Sequence, residues 1–240
     1  MKKRFAALLL ALVLVFTLVP CALAGSSTLT NPAEVLSFGL RDGSGPVSIT
    51  KGTLHRDGRT DTVYLMCLAG ANSLVWNQNS IDAFLISACS LPTQYFSTAK
   101  KLLLNNIPQG ANVLLAGHSV GGNIAQQLAA DSTVKKQYNV INTLTAGTPE
   151  VITFGREGTL HRMCDILDPV PQISLAFLVN PFLDISYKAG NYFEELQWPH
   201  SDSYFKSNVW NGFDCLGVSG GSAYLSCSAS DRRSFSLSRF

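Results

Sequence analysis

A single serine lies between two glycines at the point where an apolar run gives way to a helical pattern. The run is VLLA at 113–116, the serine is Ser119, and the glycines are Gly117 and Gly121. In a G-x-S-x-G segment the serine occupies a sharp, strained turn that raises its hydroxyl above a sheet. The flanking positions need glycine because larger side chains would collide where the strand and the helix approach each other. The segment therefore predicts a strand, a turn that presents Ser119, and a helix.

Strands and helices are predicted to alternate along most of the chain. Extended apolar patterns predict strands over 47–54, 62–68, 113–117, 140–147 and 159–167. Apolar residues at helical spacing predict helices over 93–105 and 123–130. This alternation is typical of an α/β fold with a mostly parallel sheet and helices on both faces.

The first two dozen residues have the pattern of a secretory signal peptide. Basic residues at 2–4 precede an apolar run at 5–19, and an Ala-Leu-Ala sequence follows at 22–24. The run is shorter than the roughly 20 residues that span a bilayer. We expect residues 1–24 to be removed and the protein to be secreted. An uncleaved membrane anchor and lipid attachment at Cys21 stay open as alternatives.

The rest of the chain has the composition of one packed domain, which we expect at 25–216. The sequence is 46% hydrophobic and 14% charged, and this balance excludes a disordered chain. The net charge of +2, without a basic stripe, argues against nucleic acid as a partner. Residues 217–240 are rich in Ser and Gly. They are predicted to form a poorly ordered tail or a small disulfide-stapled loop outside the sheet.

Five cysteines follow the predicted signal peptide: Cys67, Cys89, Cys164, Cys215 and Cys227. A Cys215–Cys227 bridge is expected, because both residues lie near a C-terminal segment with little core of its own. Cys67 lies within a strand pattern and is expected to pack as a small buried hydrophobe. No C-x-x-C or H-x-x-x-H spacing occurs, so neither a metal site nor a cofactor is predicted.

A serine hydroxyl becomes a nucleophile only when a base takes its proton. Of the four histidines, His118 is adjacent to Ser119 and is expected to pack beneath the turn. His55 lies in a predicted hairpin and His161 lies in a strand pattern, so both are expected to be structural. His200 comes late in the chain, in WPHSDSYF, and is the candidate base.

The base needs an acid that orients the imidazole and stabilises its charged form. Asp168 follows a predicted strand, and Pro169 favours an extended backbone at that position. Asp165 lies inside the strand pattern, Asp184 lies in an apolar insertion, and Asp202 follows the histidine. Asp168 is therefore the candidate acid, with these three as competitors.

Five segments in order resemble the class 3 lipase family of the α/β-hydrolases: LAGAN at 68–72, AGHSVGGNIAQQLA at 116–129, LTAGTPEV at 144–151, DPVP at 168–171 and H-x-x-x-Y at 200–204. The serine turn followed by G-T-P and D-x-V-P is far more specific than the serine turn alone. The resemblance implies an α/β-hydrolase fold with Ser119 as nucleophile, Asp168 as acid and His200 as base.

The resemblance also implies an oxyanion hole made by the backbone N–H groups of Val120 and Ala71. The family carries a hydroxyl residue where this chain has Ala71, so a side-chain donor is absent here. Loss of one such donor typically costs about 10²–10³ in turnover. Alanine at position 71 is therefore expected to affect the rate of the reaction more than its type.

The implied function is lipase-like hydrolysis of carboxylic esters through an acyl-enzyme, with an ester or lipid substrate and transient contact with a lipid surface. An acyltransferase with the same residues, or an inactive hydrolase-fold binding protein, are the alternatives. Residues 172–199 contain several large apolar side chains. They form either ordinary core or a lid that receives an acyl chain.

Overall fold

The computed structural model describes residues 26–41, 45–70, 91–151, 155–165, 167–172, 186–187, 199–217 and 223–236. The predicted signal peptide, Ala71, Cys89, Asp184 and most of the apolar insertion lie outside the described residues. Within the described ranges, no helix is long and apolar enough to cross a membrane.

One sheet of eight strands runs through the described part of the chain. The strands are β1 (Ser26–Leu29), β2 (Val47–Arg56), β3 (Arg59–Leu68), β4 (Asn112–His118), β5 (Asn139–Ala146), β6 (Thr159–Cys164), β7 (Ser186–Tyr187) and β8 (Tyr224–Phe235). Their order across the sheet is β1-β8-β2-β3-β4-β5-β6-β7. Pairing is parallel from β3 to β7 and antiparallel among β1, β8, β2 and β3. The predicted mostly parallel α/β sheet is confirmed.

The helices are α1 (Pro32–Leu36), α2 (Gln94–Asn106), α3 (Val120–Ala130), α4 (Ser132–Gln137) and α5 (Pro199–Asp202). A π-helical turn, Ser37–Arg41, extends α1, and short 3₁₀ turns lie at Val170–Gln172 and Ser203–Phe205. Side chains cap several of these helices: Thr93 accepts from the Phe96 N–H, and Asp131 accepts from the Val134 N–H. By contrast, the Ser119 side chain does not cap α3, which begins directly after it.

Hydrophobic cores cover both faces of the sheet. In β3, Leu65 and Cys67 point to one core, whereas Met66 and Leu68 point to the other. Leu114 and Leu115 in β4 divide in the same way. Strands buried on both faces give nearly continuous apolar runs, as the sequence predicts here. The strand that leads to the serine turn, β4, and its neighbour β3 are therefore packed on both faces.

The C-terminal segment is part of the sheet, so the prediction of a tail outside it is wrong. β8 is inserted between β1 and β2 and pairs with both. Leu225 and Cys227 point inward and are buried, and Ser226 lies between them. Gly52 makes room for this strand, because a Cβ there would lie 2.7 Å from the Cys227 Sγ. The serines that suggested a poorly ordered tail alternate with these buried residues and lie on the other face of the strand.

The predicted Cys215–Cys227 bridge is also wrong, since both residues are free, buried thiols. Cys227 is held in β8 by hydrogen-bonded neighbours on both sides, so the segment needs no covalent staple. Cys67 is free and fully buried, as predicted. Burial raises the pKa of Cys67 to about 12, so it stays a protonated packing group.

Candidate active site

Ser119 lies in a strained turn between β4 and α3. Its backbone has φ 53° and ψ −126°, a conformation that non-glycine residues seldom adopt. The Ser119 N–H donates to the Ala146 carbonyl at 2.8 Å, which ties the turn to the end of β5. The residue is 7% exposed, so its hydroxyl lies at the edge of the buried interior.

The glycines on either side of Ser119 are required by close backbone contacts. A Cβ at Gly117 would lie 2.5 Å from the Gly121 carbonyl carbon. A Cβ at Gly121 would lie equally close to the carbonyl carbon of Leu68, at 2.5 Å. No real Cβ approaches backbone so closely. The backbone segments around Ser119 thus approach as closely as the G-x-S-x-G segment predicts. The end of β3 takes part in this close packing, together with β4 and α3.

His200 reaches Ser119 from α5. Its Nε2 lies 3.0 Å from the Ser119 Oγ, and its Nδ1 lies 2.8 Å from the Asp168 Oδ2. An ionised carboxylate only accepts hydrogen bonds, so the Nδ1 carries the proton and the Nε2 is free to accept from the serine hydroxyl. The three residues form one hydrogen-bonded chain.

Asp168 follows the last residue of β6, Cys164, by four positions and is fully buried. Its Oδ1 accepts from the Val170 N–H at 2.9 Å, while its Oδ2 accepts from His200 and from the Tyr204 hydroxyl at 2.7 Å. Of its competitors, Asp165 accepts from the Leu167 N–H. Asp202 pairs with Arg41 at 2.9 Å. In the described structure Asp168 is the carboxylate that His200 contacts.

The G-T-P segment after β5 contacts all three of these residues. Gly147 has φ 57°, and a Cβ there would lie 3.0 Å from both the Asp168 Oδ2 and the His200 Nδ1. The Thr148 Oγ1 lies within hydrogen-bond distance of the Ser119 carbonyl, at 3.0 Å. In the sequence this segment contributes to the family resemblance, but no function could be assigned to it there. Its role is to let the end of β5 approach the Asp–His pair and to hold the serine turn.

The other histidines do not contact the Ser119 hydroxyl. His55 stacks on Tyr224 with ring centroids 4.3 Å apart, and His161 lies in β6. His118 is buried beneath the turn, as predicted, and its Nε2 lies 2.7 Å from the His200 carbonyl oxygen.

Tyr204 is a member of the site to which the sequence analysis gave no role. Its hydroxyl donates to Asp168 and accepts from the Asp165 N–H at 2.9 Å. Burial, together with the neighbouring Asp168 carboxylate, raises the pKa of Tyr204, so the hydroxyl stays a donor. The H-x-x-x-Y spacing at 200–204 is the sequence feature that points to this tyrosine. Its partner, Asp168, is apparent only from the structure.

Replacing Tyr204 by Phe is expected to lower stability by about 1–3 kcal/mol, because a buried hydrogen bond to a charged group is lost. Turnover of the ester that the resemblance implies as substrate should fall about tenfold, since Asp168 then holds His200 with one fewer restraint. Thermal melting and initial rates on a p-nitrophenyl ester measure the two effects. Tyr224→Phe is the matched control, because Tyr224 is half-buried at the start of β8 and stacks on His55. Equal rates in both variants would contradict a role for the Tyr204 hydroxyl.

The candidate oxyanion groups lie beside Ser119 as far as the described residues extend. Val120 is the first residue of α3, at a helix N-terminus, where the backbone dipole favours negative charge. Ala71 lies outside the described residues. Gly70, which precedes it, packs closely on the serine: a Cβ at Gly70 would lie 2.9 Å from the Ser119 Cβ. The segment that leads to Ala71 therefore passes beside Ser119.

No cluster of three metal-ligating side chains occurs within the described ranges.

Among known families, the model described as "Lipase (class 3)" matches residues 53–177. This match includes Ser119 and Asp168 and ends before His200. No curated protein and no solved structure matches the chain.

Proposed function

Because this chain belongs to the class 3 lipase family and is a lipase-like ester hydrolase, we propose that it acts through an acyl-enzyme on Ser119. The observation that carries the proposal is the chain of hydrogen bonds from Ser119 through His200 to Asp168, at 3.0 and 2.8 Å. Such a chain is the arrangement that activates a serine hydroxyl.

In the proposed mechanism, the Ser119 Oγ attacks the ester carbonyl while the His200 Nε2 takes its proton. Asp168 stabilises the imidazolium that forms. His200 then gives the proton to the leaving alcohol, and the acyl group stays on Ser119. Water attacks the acyl-enzyme with His200 again as base, which releases the carboxylic acid and restores the serine.

The negative charge that develops on the carbonyl oxygen needs nearby N–H donors. We assign this role to the backbone N–H groups of Val120 and Ala71. The support is the position of Val120 at the start of α3 and the close packing of Gly70 on Ser119.

A fluorophosphonate probe is expected to label the folded protein at Ser119, because the probe reacts with serines that an adjacent base activates. Ser119→Ala should abolish labelling and ester turnover. Ser97→Ala, on the exposed face of α2, is the matched control and should retain both. Mass spectrometry of the labelled peptide identifies the site. A wild-type protein that is folded but unlabelled would favour the inactive binding protein over the enzyme.

Hydrolysis and acyl transfer differ in the acceptor of the acyl group. Product analysis with increasing concentrations of an added alcohol separates the two. Release of free acid that persists with added alcohol supports the hydrolase. Predominant formation of the new ester at low alcohol concentration would favour the acyltransferase.

We propose a fatty-acyl ester as substrate, and a lipid surface as a transient partner. The support is the family and two exposed apolar side chains, Leu91 and Leu167, of which Leu167 directly precedes Asp168. Rates on p-nitrophenyl esters of increasing chain length are expected to peak beyond acetyl, as an apolar acyl site requires. An optimum at acetyl with no activity on longer chains would leave an esterase but contradict the lipase.

We also propose that the protein is secreted after cleavage that follows Ala24. The support is the basic, apolar and Ala-Leu-Ala pattern of residues 1–24. N-terminal sequencing of the exported protein should begin at Gly25. A blocked N-terminus on Cys21 would instead show lipid attachment.

A further inference from the structure

We propose that His118 is a positioning residue for the base: its Nε2–H donates to the main-chain carbonyl of His200 and holds that imidazole in line with Ser119. This inference rests on the proposed function, because it assigns His118 a part in the same reaction. His118 does not touch the substrate or the reacting atoms in this role.

The first argument is the closed circuit of contacts between the serine turn and α5. His118 is bonded covalently to Ser119, and its Nε2 lies 2.7 Å from the His200 carbonyl oxygen. The His200 Nε2 in turn lies 3.0 Å from the Ser119 Oγ. One side chain therefore ties the residue next to the nucleophile to the backbone of the base. A shift of α5 that lengthened the Ser119–His200 contact would also strain the His118 bond.

The second argument concerns α5 itself, which is only four residues long. The carbonyl groups of the last turn of a helix have no partner within the helix, so a helix this short satisfies few of its own carbonyls. The imidazole of His118 supplies a donor to the carbonyl of His200. It therefore fixes the backbone at the residue whose side chain must be held most accurately.

The third argument is the enclosure of the His118 ring. His118 is 8% exposed, and its ring packs against the rings of Tyr204 and Phe205, with centroids 5.9 and 5.5 Å away. On its other edge, a Cβ at Gly70 would lie 2.9 Å from the Nδ1. A carbonyl can only accept a hydrogen bond, so the Nε2 carries the proton and the tautomer is determined. The packing around the ring fixes its orientation, and the hydrogen bond to the His200 carbonyl fixes its tautomer.

His118 also stays uncharged beside the base. Burial is the largest cause that lowers its pKa, and the nearby His200 and Arg41 act in the same direction, whereas the His200 carbonyl and Asp168 raise it; the net pKa is about 4. The His118 and His200 rings are 5.0 Å apart. A charged His118 would oppose formation of the His200 imidazolium, so a neutral donor suits this position.

Two variants separate positioning from packing. His118→Phe fills the same space against Tyr204 and Phe205 but has no donor, whereas the amide of His118→Gln can reach the carbonyl. We expect His118→Phe to lower kcat on a short p-nitrophenyl ester about 10- to 100-fold with KM nearly unchanged, because small displacements of catalytic groups have effects of this size. His118→Gln should stay within about fivefold of wild type, since it keeps the donor. Equal losses in both variants, or none in His118→Phe, would overturn the proposal.

A spectroscopic readout separates failure of this inference from failure of the proposed function. The proton between the His200 Nδ1 and Asp168 gives a far-downfield proton NMR signal, whether or not the protein turns over an ester. Loss or broadening of that signal in His118→Phe, with recovery in His118→Gln, supports the positioning role. An unchanged signal in His118→Phe would overturn it. A failed proposed function would instead leave wild-type Ser119 unlabelled by the fluorophosphonate.

If His118→Phe does not fold, the wild-type protein still tests the inference. Nitrogen-15 NMR shifts distinguish a protonated Nε2 from a protonated Nδ1 in the His118 ring. The inference requires the Nε2–H tautomer near neutral pH. Observation of the Nδ1–H tautomer would overturn it.

Discussion

Replacing Asp168 by Asn is expected to lower ester turnover by about four orders of magnitude while the protein stays folded. The Asp168 carboxylate accepts from the His200 Nδ1 at 2.8 Å and so holds the proton on that nitrogen. An amide has nearly the same shape, but its NH₂ group would favour the opposite tautomer of His200. The Nε2 would then carry a proton and could not accept one from Ser119.

Asp165→Asn is the matched control, because Asp165 is also buried and lies three residues before Asp168. Its Oδ1 accepts from the Leu167 N–H, and no histidine among the described residues lies within hydrogen-bond distance of its carboxylate. We expect its turnover to stay within about tenfold of wild type, the effect of one weakened local hydrogen bond. Circular dichroism and melting temperature verify folding. Near-normal turnover in Asp168→Asn, with severe loss in Asp165→Asn, would reverse the assignment.

Ending the chain after Leu216 is expected to abolish stable folding. The deletion removes β8, which pairs with β1 on one side and β2 on the other. It also removes the buried Leu225 side chain, worth about 1.5–3 kcal/mol by itself. Together with the lost backbone pairing, the deficit approaches the whole stability of a typical domain, about 5–15 kcal/mol.

A chain that ends after Ser236 is the control for this deletion, because it retains all of β8. We expect it to be soluble and to melt near the wild-type temperature. Soluble yield, far-ultraviolet circular dichroism and ester turnover compare the two truncated proteins. A cooperative melt at the wild-type temperature in the chain ending at Leu216 would show that β8 is dispensable.

The centre of the sheet could be predicted from the sequence because its signals are local. The second half of β3 and nearly all of β4 are buried on both faces and show nearly continuous apolar runs. Ser119 was identifiable because close backbone packing requires glycine on both sides of it. His200 and Asp168 followed from what a serine nucleophile needs and from their order along the chain. The structure brings these three residues within hydrogen-bond distance.

The edge of the sheet could not be predicted in the same way. β1 has only four residues, and the inward residues of β8 alternate with serines that suggested a poorly ordered tail. The roles of Tyr204 and His118 also depend on distant partners. Tyr204 meets Asp168 across 36 positions of sequence, and His118 meets His200 across 82. No local pattern encodes such contacts, because they exist only once the strands and loops have assembled.

The location of β8 also sets the order in which the sheet can form during protein synthesis. Ser26 pairs with Ser228, so β1 cannot pair until β8 has left the ribosome, about two hundred residues later. The parallel strands β3 to β6 pair over much shorter separations and can assemble first. Until β8 emerges, one side of β2 exposes backbone groups that can pair with another chain. A chaperone would therefore contribute most in the interval before this strand docks.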